Sequence, residues 1–188
     1  MAQEWLGQYV AAHVEAVQRL DLHSVQPVLE VLSAARQAGR KIFICGNGGS
    51  ASIASHLSAD LGKGASLGRD KRFQVVSLNE NVAWMTALAN DTGYENVFAE
   101  QMANLAAPGD VLIALSVSGN SPNIVKAVEL ANAGGLITIG LCGATGGKLS
   151  QLARHVIRVA SDHFGHCEDA FMFLCHLIAY AFVENAAP

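Results

Sequence analysis

The chain has 188 residues, 51% hydrophobic and 15% charged, with 12 basic and 16 acidic side chains for a net charge of −4. That length predicts one domain with a sizeable core, and so little charge predicts that leftover apolar surface is covered in an oligomer. Nothing in the charge balance favours nucleic acid or an acidic membrane as a partner.

The start, MAQEWLGQYV, lacks the basic head and apolar block of a signal peptide. Trp5, Tyr9, Ala12, Ala16 and Leu20 recur at helical spacing, which predicts a helix over residues 3–20. Residues 21–24 break it, Pro27 suits the first turn of a second helix over 24–38, and Gly39 ends that helix. Residues 1–38 therefore read as a helical arm and 39–188 as an α/β core. From here strand, turn and helix alternate. KIFIC (41–45) runs into GNGGS, and FQVVSL (73–78) into NENVAWMTALAN. DVLIALS (110–116) runs into VSGNSPNIVKAVELANAGG, and LITIGLC (136–142) into GATGGKLSQLA. A fifth run, HVIRVA (155–160), leads to a last helix over 167–184. Unbroken apolar strands alternating with helices predict a five-stranded parallel sheet covered by helices on both faces. The last helix, CEDAFMFLCHLIAYAF, is apolar on nearly every side, which predicts burial inside the protein or between subunits. Its near-apolar stretch, Phe171 to Val183, is 13 residues, against the roughly 20 that cross a bilayer. Cys45, Cys142, Cys167 and Cys175 form no C-x-x-C pair, the pattern of free thiols in a cytoplasmic protein.

Two loops stand out. In an open parallel sheet, ligands sit beyond the carboxyl ends of the strands, where GNGGSAS and SVSGNSPN both fall. Helix N-termini there offer unpaired N–H groups, glycines let them approach an anion, and serines add donors. Neither loop carries Lys or Arg, so a neutral cradle for one sugar phosphate is the reading, rather than a triphosphate with magnesium. Gly46, Gly48 and Ala51 also match the G-x-G-x-x-A dinucleotide fingerprint, with Glu80 as a loose candidate for its acidic residue. CGATGGKLS fails as a nucleotide P-loop, with Cys142 at the first Gly and Leu149 after the Lys.

The polar pairs leave alternatives open. His56 and Asp60, four apart, share one helix face, as a site or as a solvated pair. Glu168 and Asp169 suit a helix start on dipole grounds alone. His176, among Phe171, Phe173, Leu174, Leu177 and Ile178, is either a hydrogen-bonded core histidine or a ligand. Glu168 and His176 are about 12 Å apart along a helix, so they share one metal only by leaning together or if Glu168 lies before the helix proper, and otherwise belong to two sites.

GNGGSA, the His56/Asp60 pair, AND (89–91), S-x-S-G-N-S (116–121) and the E-D…H helix together resemble the SIS (sugar isomerase) family, and within it the phosphoheptose isomerases, over residues 3–184. The resemblance implies a SIS domain, a flavodoxin-like three-layer sandwich, forming a homotetramer. It implies interconversion of sedoheptulose 7-phosphate and D-glycero-D-manno-heptose 7-phosphate through an enediol. It implies zinc, or another divalent cation, on His56, Asp60, Glu168 and His176, with Asp60 and His176 as the acid/base pair. It implies substrate contacts from Asn47, Gly48, Gly49, Ser50, Asn90, Asp91, Ser116, Ser118, Ser121 and Glu168, with the three serines 116, 118 and 121 on the phosphate. This chain departs from the family twice: Asp60 stands where Glu is usual, and Glu168 where Gln is usual. Asp reaches about 1.5 Å less, one bond length. The competing functions are a sugar-phosphate sensor or replication-initiator partner without chemistry, an isomerase or epimerase of another phosphosugar, and a dinucleotide oxidoreductase. His176 favours an enzyme over the binding module.

Overall fold

A computed structural model describes residues 1–188 throughout. In chain order the elements are α1 (Ala2–Gln18), a 3₁₀ turn (Leu22–Ser24), α2 (Gln26–Ala38), β1 (Lys41–Cys45), α3 (Gly49–Ala59), a π turn (Asp60–Gly64) and β2 (Gln74–Ser77). Then come α4 (Val82–Thr92), a 3₁₀ turn (Tyr94–Asn96), α5 (Ala99–Leu105), β3 (Val111–Ser116), α6 (Pro122–Ala133), β4 (Ile137–Cys142), α7 (Leu149–Leu152), β5 (His155–Arg158) and α8 (Phe164–Val183).

All strand pairings are parallel, in the order β2-β1-β3-β4-β5. This is the doubly wound order in which the chain leaves β1 to one side for β2 and to the other for β3. The loops after β1 and β3 therefore face each other across the switch point. Period-2 alternation puts Ile42 and Ile44 on one face with Ile113 and Leu115, and Phe43 and Cys45 on the other with Leu112 and Ala114. The first face is covered by α2, α3 and α8 through residues such as Leu32, Leu57, Phe171 and Leu174. The second is covered by α5 and α6 through Phe98, Met102, Ile124 and Val128. Each such side chain contributes about 1.5–3 kcal/mol by leaving water. α2 thus belongs to the layer itself, while α1 buries only Ala16.

Several element boundaries differ from the sequence expectation. The edge strands β2 and β5 are shorter than the apolar runs 73–78 and 155–160, although Leu78 N–H and Val159 N–H still donate to Ile44 O and Cys142 O of the neighbouring strands, each at 2.9 Å. α8 starts at Phe164, three residues early, since the His163 ring accepts from the His166 backbone N–H at 3.4 Å and caps it. Glu168 is therefore in the second turn, not at the helix start. Asn90 and Asp91 lie inside the last turn of α4. α8, 20 residues long, is apolar enough to cross a membrane by length and composition, but 44% of its most apolar 18-residue window is buried within the chain. The 13-residue stretch expected from the sequence, Phe171 to Val183, is the C-terminal part of this helix, which extends N-terminally through Asp169 and Glu168 to Phe164.

Candidate active site

Both cradle loops open directly onto helices whose N-cap residues make no side-chain cap bond. α3 begins after Gly48, and α6 begins after Ser121, whose hydroxyl does not cap its own helix. Ser121 Oγ instead meets Ser116 Oγ at 3.4 Å. Between the two helix starts lies a cavity of about 60 Å³, lined by Asn47, Ser50, Ser116, Ser118, Ser121 and Glu168, with Phe164 at its edge. A single water needs only about 10–15 Å³ of such space, so the cavity is large enough for one small tetrahedral anion. No Lys or Arg lines it. The uncapped N–H groups and serine hydroxyls supply the donors. Glu168 belongs to this cavity, and its carboxylate lies so close to Gly49 that a Cβ there would be 2.2 Å from it.

Behind the cradle, the GATGGK segment acts as a brace. Gly143 N–H donates to Val117 O at 2.9 Å, Leu149 N–H to Gly119 O at 2.9 Å and Lys148 N–H to Asn120 Oδ1 at 3.0 Å. The P-loop-like string thus holds the neighbouring loop through its backbone.

The second cluster sits further along the α3–α8 seam, a pair of helices packed on one another. His56 Nε2 and His176 Nε2 are 2.8 Å apart, and Asp60 Oδ2 lies 3.2 Å from the first and 3.9 Å from the second. Asp60 reaches both rings despite being shorter than Glu, because it opens the π turn that widens α3. These three donor atoms lie within 4.8 Å of one another. Asp60 Oδ2 is sealed from solvent without a well-directed hydrogen bond. Such an orphaned oxygen, facing two imidazoles, fits a divalent cation, and the spread of 2.8–3.9 Å brackets the roughly 3.3 Å between donors of a tetrahedral zinc. Glu168 stands outside this triad, eight residues and about 12 Å away along α8. His176 is exposed, not a core histidine, because α8 turns Cys167, Phe171, Leu174, Cys175 and Ile178 inward.

The other sequence candidates fall as follows. Asn47 forms a reciprocal amide pair with Asn123. Asn90 and Asp91 are exposed, bonded to each other at 2.8 Å, and line neither the cradle nor the triad. Glu80, the loose dinucleotide candidate, is exposed and lines no cavity described here. Sequence reasoning passed over Asn123, Asn79 and Tyr94. Asn79 brackets Gly46 through both its amide atoms, and only tertiary placement reveals it. Burial pushes the Cys45 and Cys175 thiols up to about 12, and Cys142 and Cys167 to about 11, so none is poised as a nucleophile.

A model of the SIS domain family matches residues 6–143. A phosphoheptose isomerase from Rhodospirillum rubrum is 40% identical over 156 residues, covering 83% of this chain and 82% of that protein. One from Helicobacter pylori is 38% identical over 182 residues, covering 95% and 94%. Among solved structures, a phosphoheptose isomerase from Neisseria gonorrhoeae superposes with a TM-score of 0.88 at 28% identity, covering 98% of this chain and all of that one. Another, from Francisella tularensis, gives 0.90 at 26% identity, covering 98% and 99%.

Proposed function

This chain belongs to the SIS-domain family, among its phosphoheptose isomerases, and from that membership and the site we propose that it is an aldose–ketose isomerase interconverting sedoheptulose 7-phosphate and D-glycero-D-manno-heptose 7-phosphate. The observation that carries the proposal is the shared seam. Ser50 and Glu168 reach the anion cavity from α3 and α8, and His56 and His176 form the triad from the same two helices. Eight residues of α8 are about 12 Å. With C–C bonds of about 1.5 Å, an extended heptose 7-phosphate measures about 10 Å from phosphorus to carbon 1. The phosphate and the reacting carbons of one such molecule can occupy both ends of the seam.

In this reading Ser116, Ser118 and Ser121, with Ser50 and the first N–H groups of α3, hold the phosphate. Binding at that remote end fixes carbons 1 and 2 against the triad. Asp60 removes the proton from the carbon beside the carbonyl, and His176 protonates the carbonyl oxygen. The same two groups then return a proton to the neighbouring carbon and release the new carbonyl. Positioned acid/base groups of this kind contribute about 10²–10⁴ in rate. His56, Asp60 and His176 are the residues that would hold zinc or another divalent cation, which when bound supplies Lewis-acid polarisation of the substrate oxygen. Glu168 we assign to the substrate end and leave out of that ligand set.

We further propose that residues 1–188 act as one domain within a homotetramer in the cytoplasm. Exposed Trp5, Leu6 and Val10 on α1 and Phe173, Leu177 and Tyr180 on α8 support the oligomer, as does α4, which buries no residue. The His56 and His176 side chains are 41% and 47% exposed in the single chain, where enediol chemistry requires water to be kept out. Four unpaired thiols suit a reducing compartment.

The test is to add sedoheptulose 7-phosphate and follow the aldose by NMR, with and without chelator. Turnover is expected, weakened by chelation, and His176→Ala and Asp60→Asn each lower it by about 10² or more with unchanged melting. Full activity in both variants removes the mechanism.

A further inference from the structure

One side-chain pair joins the two loops across the switch point. Asn47 Nδ2 donates to Asn123 Oδ1 at 2.9 Å, and Asn123 Nδ2 donates back to Asn47 Oδ1 at 2.8 Å. Asn123, in the first turn of α6, is only 2% exposed. Asn47 lines both the anion cavity and a neighbouring, more apolar cavity of about 290 Å³.

The direction of the pair is determined by the backbone. Ile124 N–H, at the start of α6, donates to Asn123 Oδ1 at 3.0 Å. That bond fixes which end of the Asn123 amide is oxygen, and so turns its NH₂ group towards Asn47. Asn47 must answer with its own oxygen. The Tyr94 hydroxyl, 3.2 Å away, donates to the same oxygen. An amide has one oxygen with two lone pairs and two N–H donors. Both lone pairs of Asn47 are thereby engaged and one N–H is spent. A single N–H remains for a ligand.

We propose that Asn123 is a positioning residue for substrate: through the amide pair it makes Asn47 a one-way donor, able to bind an oxygen acceptor of the sugar phosphate and unable to accept from one of its hydroxyls. This rests on the phosphosugar isomerase reading above. The pair also ties the first cradle loop to the second, so the two halves of the anion site move together. Tyr94, from the turn after α4, is the outer clamp on the same oxygen.

The experiment is a double-mutant cycle on KM and kcat for sedoheptulose 7-phosphate, with melting temperature read alongside. Asn123→Ala is expected to raise KM about two- to tenfold, the worth of one oriented hydrogen bond, with kcat changed less than about twofold. Asn123→Asp keeps the shape but sets an oxygen against the Asn47 oxygen. Its KM rises at least as much; because the new carboxylate oxygen is buried without a partner its melting temperature falls too, and the order of the KM values is the readout. A role in packing alone predicts the reverse order. In an Asn47→Ala background, Asn123→Ala adds less than about twofold, since its effect runs through Asn47. Additive effects in the double variant, or a wild-type KM in Asn123→Asp, would overturn the proposal. Absence of turnover by the unsubstituted protein refutes the isomerase reading separately. The pair is then read by NMR of the Asn47 side-chain amide, assigned by its loss in Asn47→Ala. One slowly and one rapidly exchanging proton are expected, converging in Asn123→Ala; equal exchange in the unsubstituted protein sinks the pairing itself.

Discussion

Gly119, the turn of the S-x-S-G-N-S loop, holds φ at +64°. An alanine Cβ there would sit 2.0 Å from the Gly146 carbonyl oxygen, 2.6 Å from its carbon and 3.1 Å from Gly147 Cα. A carbon–oxygen contact settles near 3.3 Å, so the two loops must part by about 1.3 Å. All three obstructing atoms are backbone, and their segment is pinned to the cradle by the Leu149 and Gly143 N–H bonds. The anion loop therefore has to move. The left-handed conformation alone costs alanine about 1–2 kcal/mol. Displacing the loop adds to this, for a total of about 2–4 kcal/mol in urea unfolding. A shift of about 1 Å in a positioning element costs about 10² in kcat/KM. Gly135→Ala is the control: its φ is +73°, and the nearest atom a Cβ would meet is Pro108 Cβ at an ordinary 3.7 Å. It should lose about 1–2 kcal/mol of stability with catalysis intact. If Gly119→Ala keeps kcat/KM within about threefold of the parent, the cradle is not where the phosphate binds.

Glu168→Gln removes a negative charge from the wall of the anion cavity, so KM for the sugar phosphate should fall about threefold or more while bound metal, measured by elemental analysis, is unchanged. Loss of metal would return Glu168 to the ligand set. Burial raises the Cys45 thiol from 9.0 to about 12. The folded chain then keeps a proton that the unfolded chain releases above about pH 9, so stability falls as pH rises towards 12, by about 1.4 kcal/mol at pH 10. Urea midpoints at pH 8 and pH 10 should show this fall, reduced in Cys45→Ala; an equal fall in both proteins would refute the assignment. Val10→Glu, on the exposed face of α1, should shift sedimentation from an assembly towards the 19.7 kDa chain. A parent protein that already sediments as one chain would overturn the oligomer.

The strands, the two loops and the class of ligand were legible in the sequence because their causes are local. A run such as KIFIC, ended by Gly46, is too short for a helix and reads as a buried strand, and the glycines after it let a helix N-terminus approach a ligand. The SIS resemblance added the sugar and the residues to examine. Tertiary structure decided how those residues divide. Glu168 lines the cavity between the two loops while His176 meets His56 and Asp60, and α8 shows His176 to solvent because its other faces fill the core. Asn47 and Asn123 stand 76 positions apart, and no local pattern pairs them. They meet because the sheet reverses its winding between β1 and β3. Local propensity sets what each segment is; which segments become neighbours depends on the free energy of burying both faces of one sheet, a property of the whole chain.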